Sequence, residues 1–251
     1  EKKKVWKIVE KSKLPAGRKV IANRWVFARK DDGRYRARTV AKGFSQIPGK
    51  DFTENFAPVV HDSTFRIVLI MKQLFGLKTG QFDVETAFLY GDLEEDLWME
   101  LPEGYQEYMK EEHHSEVNPL RHCVKLQKAI YGLVQAARQW WKKFTKALQK
   151  LGYQPSKVDP CLFINITKKD KPAYIIIYVD DGGIIGTQDE IDRVMMELNK
   201  EFVIKPLGKM EHFVGCRIID EPEIMEGQKI QGKNPTMKKG LKISSAKTVK
   251  E

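Results

Sequence analysis

The chain has 251 residues, 41% of them apolar and 31% charged, with a net charge of +10. That length and apolar share suffice for one large domain or two small ones with a real core, and they exclude a disordered protein. The charge is polarised: residues 1–50 hold sixteen Lys and Arg against four Asp and Glu, whereas residues 81–116 hold one against twelve. A basic lobe beside an acidic centre suits a protein that tracks a phosphate backbone with one part and gathers metal ions with another. Solvated surface charge is the simpler alternative.

Cys123, Cys161 and Cys216 are too few and too scattered for a disulfide framework or a zinc cluster, which points to a reducing compartment. No run approaches the roughly 20 apolar residues of a membrane span, and Glu1-Lys-Lys-Lys-Val-Trp6 lacks the apolar core of a signal peptide. A soluble, intracellular protein without a membrane partner is expected. The absence of an initiating Met and the immediate entry into a strand-like segment predict a piece of a longer polypeptide.

In chain order, residues 19–30 and 34–42 read as two strands, with Asp31-Asp-Gly33 as the hairpin signal between them. Arg34, Arg36, Arg38 and Lys42 share one parity and so predict a basic ribbon suited to phosphates. Residues 63–76 begin with capping-type residues, carry apolar side chains at helical spacing and stop at Gly76, which predicts a buried helix. Residues 81–85 read as a short strand with Asp83 near its end. Residues 92–120 are acidic and irregular, with Pro102, Gly104 and Pro119 as breakers. Residues 135–151 predict an amphipathic helix whose stripe of Trp140 or Trp141, Phe144, Leu148 and Leu151 is core rather than ligand site.

Residues 172–187 predict a hairpin, 189–201 a further helix and 210–219 a last strand. Beyond Asp220 the chain turns rich in Lys, Gly and Ser, with seven Lys against one acid in residues 228–251, and reads as a loose tail.

The hairpin concentrates the chemistry. An apolar run, Tyr174-Ile-Ile-Ile-Tyr-Val179, leads straight into Asp180 and Asp181 and then Gly182 and Gly183. Two carboxylates about 4 Å apart repel by about 4 kcal/mol at an effective dielectric near 20, so a divalent cation is the natural companion. Consecutive strand residues point to opposite faces, so the two acids share a site only at a tight bend, which Gly182 and Gly183 are expected to supply. Joined by Asp83 from a neighbouring strand, the pair could hold two ions at the ~3.5 to 4 Å spacing used for in-line phosphoryl or nucleotidyl transfer. The plain alternative is a turn, since Asp and Gly both favour turns.

Tyr178-Val-Asp-Asp181 resembles the motif of reverse transcriptases, and its flanks resemble one branch, the polymerases of Ty1/copia-type long-terminal-repeat retrotransposons. The matching blocks are Arg24-Trp-Val-Phe27 with Arg36-Ala-Arg-Thr-Val-Ala-Lys-Gly-Phe-Ser-Gln46, then Phe52-Thr-Glu-Asn-Phe-Ala-Pro-Val-Val60 and Phe82-Asp-Val-Glu-Thr-Ala-Phe-Leu-Tyr-Gly-Asp-Leu93. Ala129-Ile-Tyr-Gly-Leu-Val-Gln-Ala-Ala-Arg-Gln-Trp140 and Val158-Asp-Pro-Cys-Leu-Phe163 follow. Five separated blocks in order are far more specific than one tetrapeptide.

The resemblance implies an α+β right-hand polymerase over residues 6–220. Its fingers lie mainly in 1–58 and 91–133 and its palm, an antiparallel sheet backed by helices, mainly in 59–90 and 134–220. The thumb is absent or incomplete, and 221–251 form the basic tail. Carried over by position, Asp83, Asp180 and Asp181 are the catalytic carboxylates and, with the Val84 carbonyl, the ligands of two Mg²⁺ ions, for which Mn²⁺ can substitute. Arg36 and Arg38 are assigned to the incoming dNTP, Phe88 to its sugar, and Gly132 and Gln135 to the segment against the template and nascent pair.

The implied partners are an RNA or DNA template with its primer, dNTPs and the other parts of the pol polyprotein. The implied setting is the cytoplasm, within a virus-like particle, with the nucleus as an alternative. Val134 and Ala137 stand where the family pattern has Lys and Pro. An inactive remnant that only binds nucleic acid is therefore the second reading, and a nucleotidyl cyclase of related fold is a third.

Overall fold

In the computed structural model, which describes residues 3–29, 33–165, 172–220 and 241–245, the chain is mixed α/β and divides into two compact units. One takes residues 1–58 and 86–146, the other 59–85 and 147–251, so each is assembled from two separated stretches.

The first unit is built on a four-stranded sheet in the order β1 (Trp6–Glu10), β7 (His122–Leu126), β6 (Trp98–Met99), β2 (Val20–Ile21), with β2 and β6 parallel. Its inner residues, among them Ile21, Leu97, Met99, Val124, Leu126 and Leu133, form one apolar cluster. Beside this sheet stands a separate two-stranded ribbon, β3 (Asn23–Arg29) and β4 (Tyr35–Ala41), paired from Asn23–Ala41 to Arg29–Tyr35. The pairing sets Arg24, Arg36 and Arg38 on one face of the ribbon and Trp25, Phe27 and Tyr35 on the other. The hairpin predicted at 31–33 falls largely outside the described residues, although Gly33 has the left-handed φ of 81° that such a turn demands.

The acidic stretch at 92–120 is more ordered than its composition suggests. It contains β6 and a helix, α2 (Tyr105–His113), which Gly104 enters at φ 79°. Three of its first acids pair with bases: Asp92 with Lys128 and Lys143, Glu94 with Lys142 and Asp96 with Lys125. The segment from 92 to 96 is therefore a clamp onto nearby lysines rather than a collector of ions. The helix predicted at 135–151 is α3 (Ala136–Lys150); Trp140, Phe144 and Leu148 are buried along its length.

The second unit carries a six-stranded sheet, antiparallel throughout, in the order β12 (Ile204–Gly208), β5 (Lys78–Val84), β11 (Asp181–Gly186), β10 (Tyr174–Tyr178), β9 (Leu162–Asn165), β8 (Tyr153–Pro155). Ile175, Ile176 and Ile177 are all buried in succession, so β10 is covered on both faces. Helix α4 (Gln188–Leu198), capped by the Thr187 hydroxyl accepting from the Glu190 N–H, buries Ile191, Val194 and Leu198.

Three expectations fail in this unit. Helix α1 (Asp62–Leu74) is not buried all round: Phe65, Val68 and Leu69 point inward, while Ile67, Ile70 and Leu74 are exposed on the opposite face. The strand predicted at 210–219 is a hairpin, β13 (His212–Phe213) and β14 (Cys216–Asp220), because Val214 and Gly215 both adopt positive φ and turn the chain. Within the predicted loose tail, β15 (Leu241–Ser245) pairs with β14; residues 221–240 and 246–251 lie outside the described residues. No helix among the described residues is long and apolar enough to cross a membrane.

Candidate active site

Strand β5 runs between β12 and β11 in the six-stranded sheet and ends at Val84, carrying Asp83 close to its end. Its neighbour β11 starts at Asp181, and the register sets Asp181 directly opposite Asp83. Directly opposed residues in an antiparallel pair share a face with Cβ atoms about 4.5 to 5.5 Å apart, and like charges there destabilise the sheet. On the far side of Asp83, β12 brings Lys205 into the opposite position, so one face reads Lys205, Asp83, Asp181.

The bend lies three residues earlier than Gly182 and Gly183. Tyr178 pairs with Asp181, which leaves Val179 and Asp180 as the two-residue loop. Val179 adopts φ 57°, an uncommon conformation for a β-branched residue. The Asp180 carbonyl accepts from the Val84 N–H at 3.1 Å, tying the bend to the end of β5.

The two glycines serve packing instead. A Cβ on Gly182 would lie 2.0 Å from the ring of Phe82, its cross-strand partner, and one on Gly183 would lie 2.1 Å from the Met210 methyl. Side chains of the sheet's own core fill the space that Cβ atoms would take.

Asp83, Asp180 and Asp181 are thus brought together within the second unit. Burial, then Asp180, then Asp83 push the Asp181 carboxyl up to about 6 from its ordinary value of 3.8. Asp181 thus stands beside two further carboxylates, oxygen donors of the kind that Mg²⁺ prefers. Among the described residues, no group of three or more His, Cys, Asp or Glu is placed so that these side chains alone could hold a metal ion. Mg²⁺ commonly binds through one or two carboxylates and completes its shell with water and substrate phosphates.

The first unit holds the other predicted residues. Phe88 lies in a 3₁₀ turn, Ala87–Tyr90, and packs on the Tyr131 ring at 4.8 Å between centroids. Arg38 stands over the same ring at 4.5 Å and donates to the Tyr131 hydroxyl at 3.5 Å. Arg38 and Phe88 are therefore joined through Tyr131, a residue outside the candidates named from sequence, for which an aromatic directly before Gly132 is the local signal. Arg36 stands two residues further along the same ribbon face.

Gly132 has φ 88°, and a Cβ on it would lie 2.1 Å from the Ala41 carbonyl oxygen. Gln135, assigned to the template side, is fully buried: its amide donates to the Asp51 carbonyl and accepts from the Gln46 amide, each at 2.9 Å. It holds the segment from within rather than facing a ligand.

Residues 3–243 match the family described as reverse transcriptase (RNA-dependent DNA polymerase). This chain belongs to that family. It is 38% identical over 88% of its length to a retrovirus-related Pol polyprotein from transposon TNT 1-94 of Nicotiana tabacum. It is also 33% identical over 78% of its length to the Pol polyprotein from transposon RE1 of Arabidopsis thaliana. A putative transposon Ty5-1 protein of Saccharomyces cerevisiae is 34% identical over 54% of the chain. These relatives mark a copia-type reverse transcriptase domain. The chain spans only 16% and 13% of the first two polyproteins.

Proposed function

We propose that the chain is the polymerase core of a copia-type retrotransposon, which extends a primer 3′-hydroxyl with dNTPs on an RNA or DNA template. The observation that carries this reading is the register of β5 against β11, with Asp83 and Asp181 face to face beside Asp180. In this reading the first unit corresponds to fingers and the second to palm.

The chain's own residues divide the work. Asp83, Asp180 and Asp181, with the Val84 carbonyl, would hold two Mg²⁺ ions. When bound, the ions lower the pKa of the attacking hydroxyl and neutralise the leaving oxygen. Asp83 and Asp181 fix the donor set by their cross-strand pairing, and Asp180 brings its charge from the bend. Arg38, its guanidinium braced on Tyr131, supplies a positive donor for the triphosphate. Phe88, packed on the Tyr131 ring, would stand beside the sugar and disfavour a 2′-hydroxyl by sterics. The basic ribbon and N-terminal lysines attract the phosphate backbone, and this binding is expected to weaken steeply with salt. Other parts of a pol polyprotein, in a cytoplasmic particle, are the proposed companions.

The test is extension of oligo-dT on poly-rA with Mg²⁺. Asp83→Asn and Asp180→Asn should each lower turnover by at least ~10²- to 10³-fold, the scale for removing one preorganised charge-stabilising group. Near-normal rates in either variant reject its metal role. Val134, standing where the family pattern has Lys, favours the second reading of a nucleic-acid binder without synthesis. Salt-sensitive binding of primer–template with no extension in Mg²⁺ or Mn²⁺ by the unaltered chain would select it.

A further inference from the structure

The ribbon that carries Arg38 and the turn that carries Tyr131 meet through an unusually close backbone crossing. A Cβ on Gly43 would lie 2.1 Å from the Gly132 carbonyl oxygen, and one on Gly132 would lie 2.1 Å from the Ala41 carbonyl oxygen. The Ala41 N–H donates to the Tyr131 carbonyl at 2.8 Å.

Two buried amides close this crossing. The Gln46 side chain donates to the Gln135 oxygen at 2.9 Å while its own oxygen accepts from the Val134 N–H at 2.9 Å. The Gln135 amide donates onward to the Asp51 carbonyl at 2.9 Å and to Glu95 at 3.3 Å. Asp51 in turn accepts from the Ile47 N–H and from Arg18. Gln46, Asp51 and Gln135 are 7%, 5% and 0% exposed, so the network is shielded from competing water.

We propose that Gln46 and Gln135 are positioning residues for the nucleotide: their paired amides lock the end of β4 to the 131–135 turn and so hold Arg38 against Tyr131. Neither amide touches the nucleotide. Gln46 sits eight residues from Arg38 and Gln135 four from Tyr131, and the Gly43–Gly132 crossing lies between. Loosening the amides lets the two strands of backbone slide where nothing but glycine separates them. The proposal rests on the polymerase reading, in which Arg38 binds the triphosphate.

The test uses the full chain with poly-rA/oligo-dT and dTTP. Gln46→Met and Gln135→Met each leave the other amide unpaired, whereas the double variant removes both amides and leaves only their backbone partners, the Val134 N–H and the Asp51 carbonyl, without that bond. The dTTP KM should rise about tenfold in the double variant, within the range for a lost buried hydrogen bond. Turnover and primer–template affinity should stay within about threefold. In an Arg38→Ala background the same changes should leave the KM unaltered, since the amides act through that arginine.

Amide hydrogen exchange, read without substrate, should quicken at Ala41 and Val134. A wild-type chain that neither binds nor uses dTTP overturns the polymerase reading. A working wild type whose double variant keeps its dTTP KM, or keeps slow exchange at Ala41 and Val134, overturns the lock alone.

Discussion

Asp181 is half-buried, faces Asp83 across the strand pair and adjoins Asp180, and these surroundings raise its proton affinity to a pKa of about 6. Because the folded chain holds this proton to a higher pH than the unfolded chain, the group's contribution to stability is present at low pH. It is lost as pH rises from about 4 to about 6. A divalent cation binds the ionised form, so Mg²⁺ should raise the melting temperature above about pH 7 and have little effect below about pH 5. Asp181→Asn should stabilise the metal-free chain near neutral pH and abolish most of the Mg²⁺ effect. Thermal unfolding with and without Mg²⁺ across that range is the measurement; an identical Mg²⁺ shift in the variant would remove Asp181 from the donor set.

At the scale of an element, the hairpin of β10 and β11 derives its shape from Val179 and Asp180, and its tight approach to β5 from Gly182. Gly182→Ala would drive a methyl into the Phe82 ring, whose residue is fully buried and cannot swing outward. Overpacking of this kind costs about 1 to 3 kcal/mol, and because Asp181 is the next residue the same strain should lower primer extension. Adding Phe82→Leu should recover part of the stability in a urea titration. If Gly182→Ala alone unfolds with the wild-type midpoint, the close packing of the two strands is not what requires glycine there.

Across the whole molecule, the two units should respond to acid in opposite directions. In the first unit, burial pulls Asp92 upward but Lys128 and Lys143 outweigh it, and Lys142 holds Glu94 down, so both carboxyls sit below their ordinary values. Their contribution is present above the unfolded values and is lost as pH falls through the depressed ones, below about pH 4. The second unit, through Asp181, instead loses stability as pH rises from about 4 to about 6. Metal-free stability should therefore peak near pH 4 to 5, and Mg²⁺ should move that maximum toward neutrality. Salt should flatten the acid limb, since these lysine pairs are largely solvent-exposed and screened. An acid limb that is unchanged in Lys128→Met/Lys142→Met would show that the clamp carries no part of it.

The family, Asp83, Asp180 and Asp181 as candidates, the basic parity of β4 and the long helices were all legible along the chain, because motif order and apolar period are local properties. Ty1/copia-type spacing could be read from five short blocks, and the alternation of Arg36 and Arg38 needed only the pleat of a strand. Tertiary structure alone decided the register that opposes Asp83 to Asp181, and with it Lys205 on the other side. It also moved the bend from the glycines to Val179 and Asp180, since whether a glycine turns the chain or admits a neighbour depends on what packs against it. Gln135 and Tyr131 were legible as residues but not as partners: their roles follow from a backbone crossing between segments about ninety residues apart, and no local pattern encodes such a contact. The exposed face of α1 and the ordered acidic stretch teach the same lesson, because a side chain's burial and a charge's partner are settled only when distant segments meet.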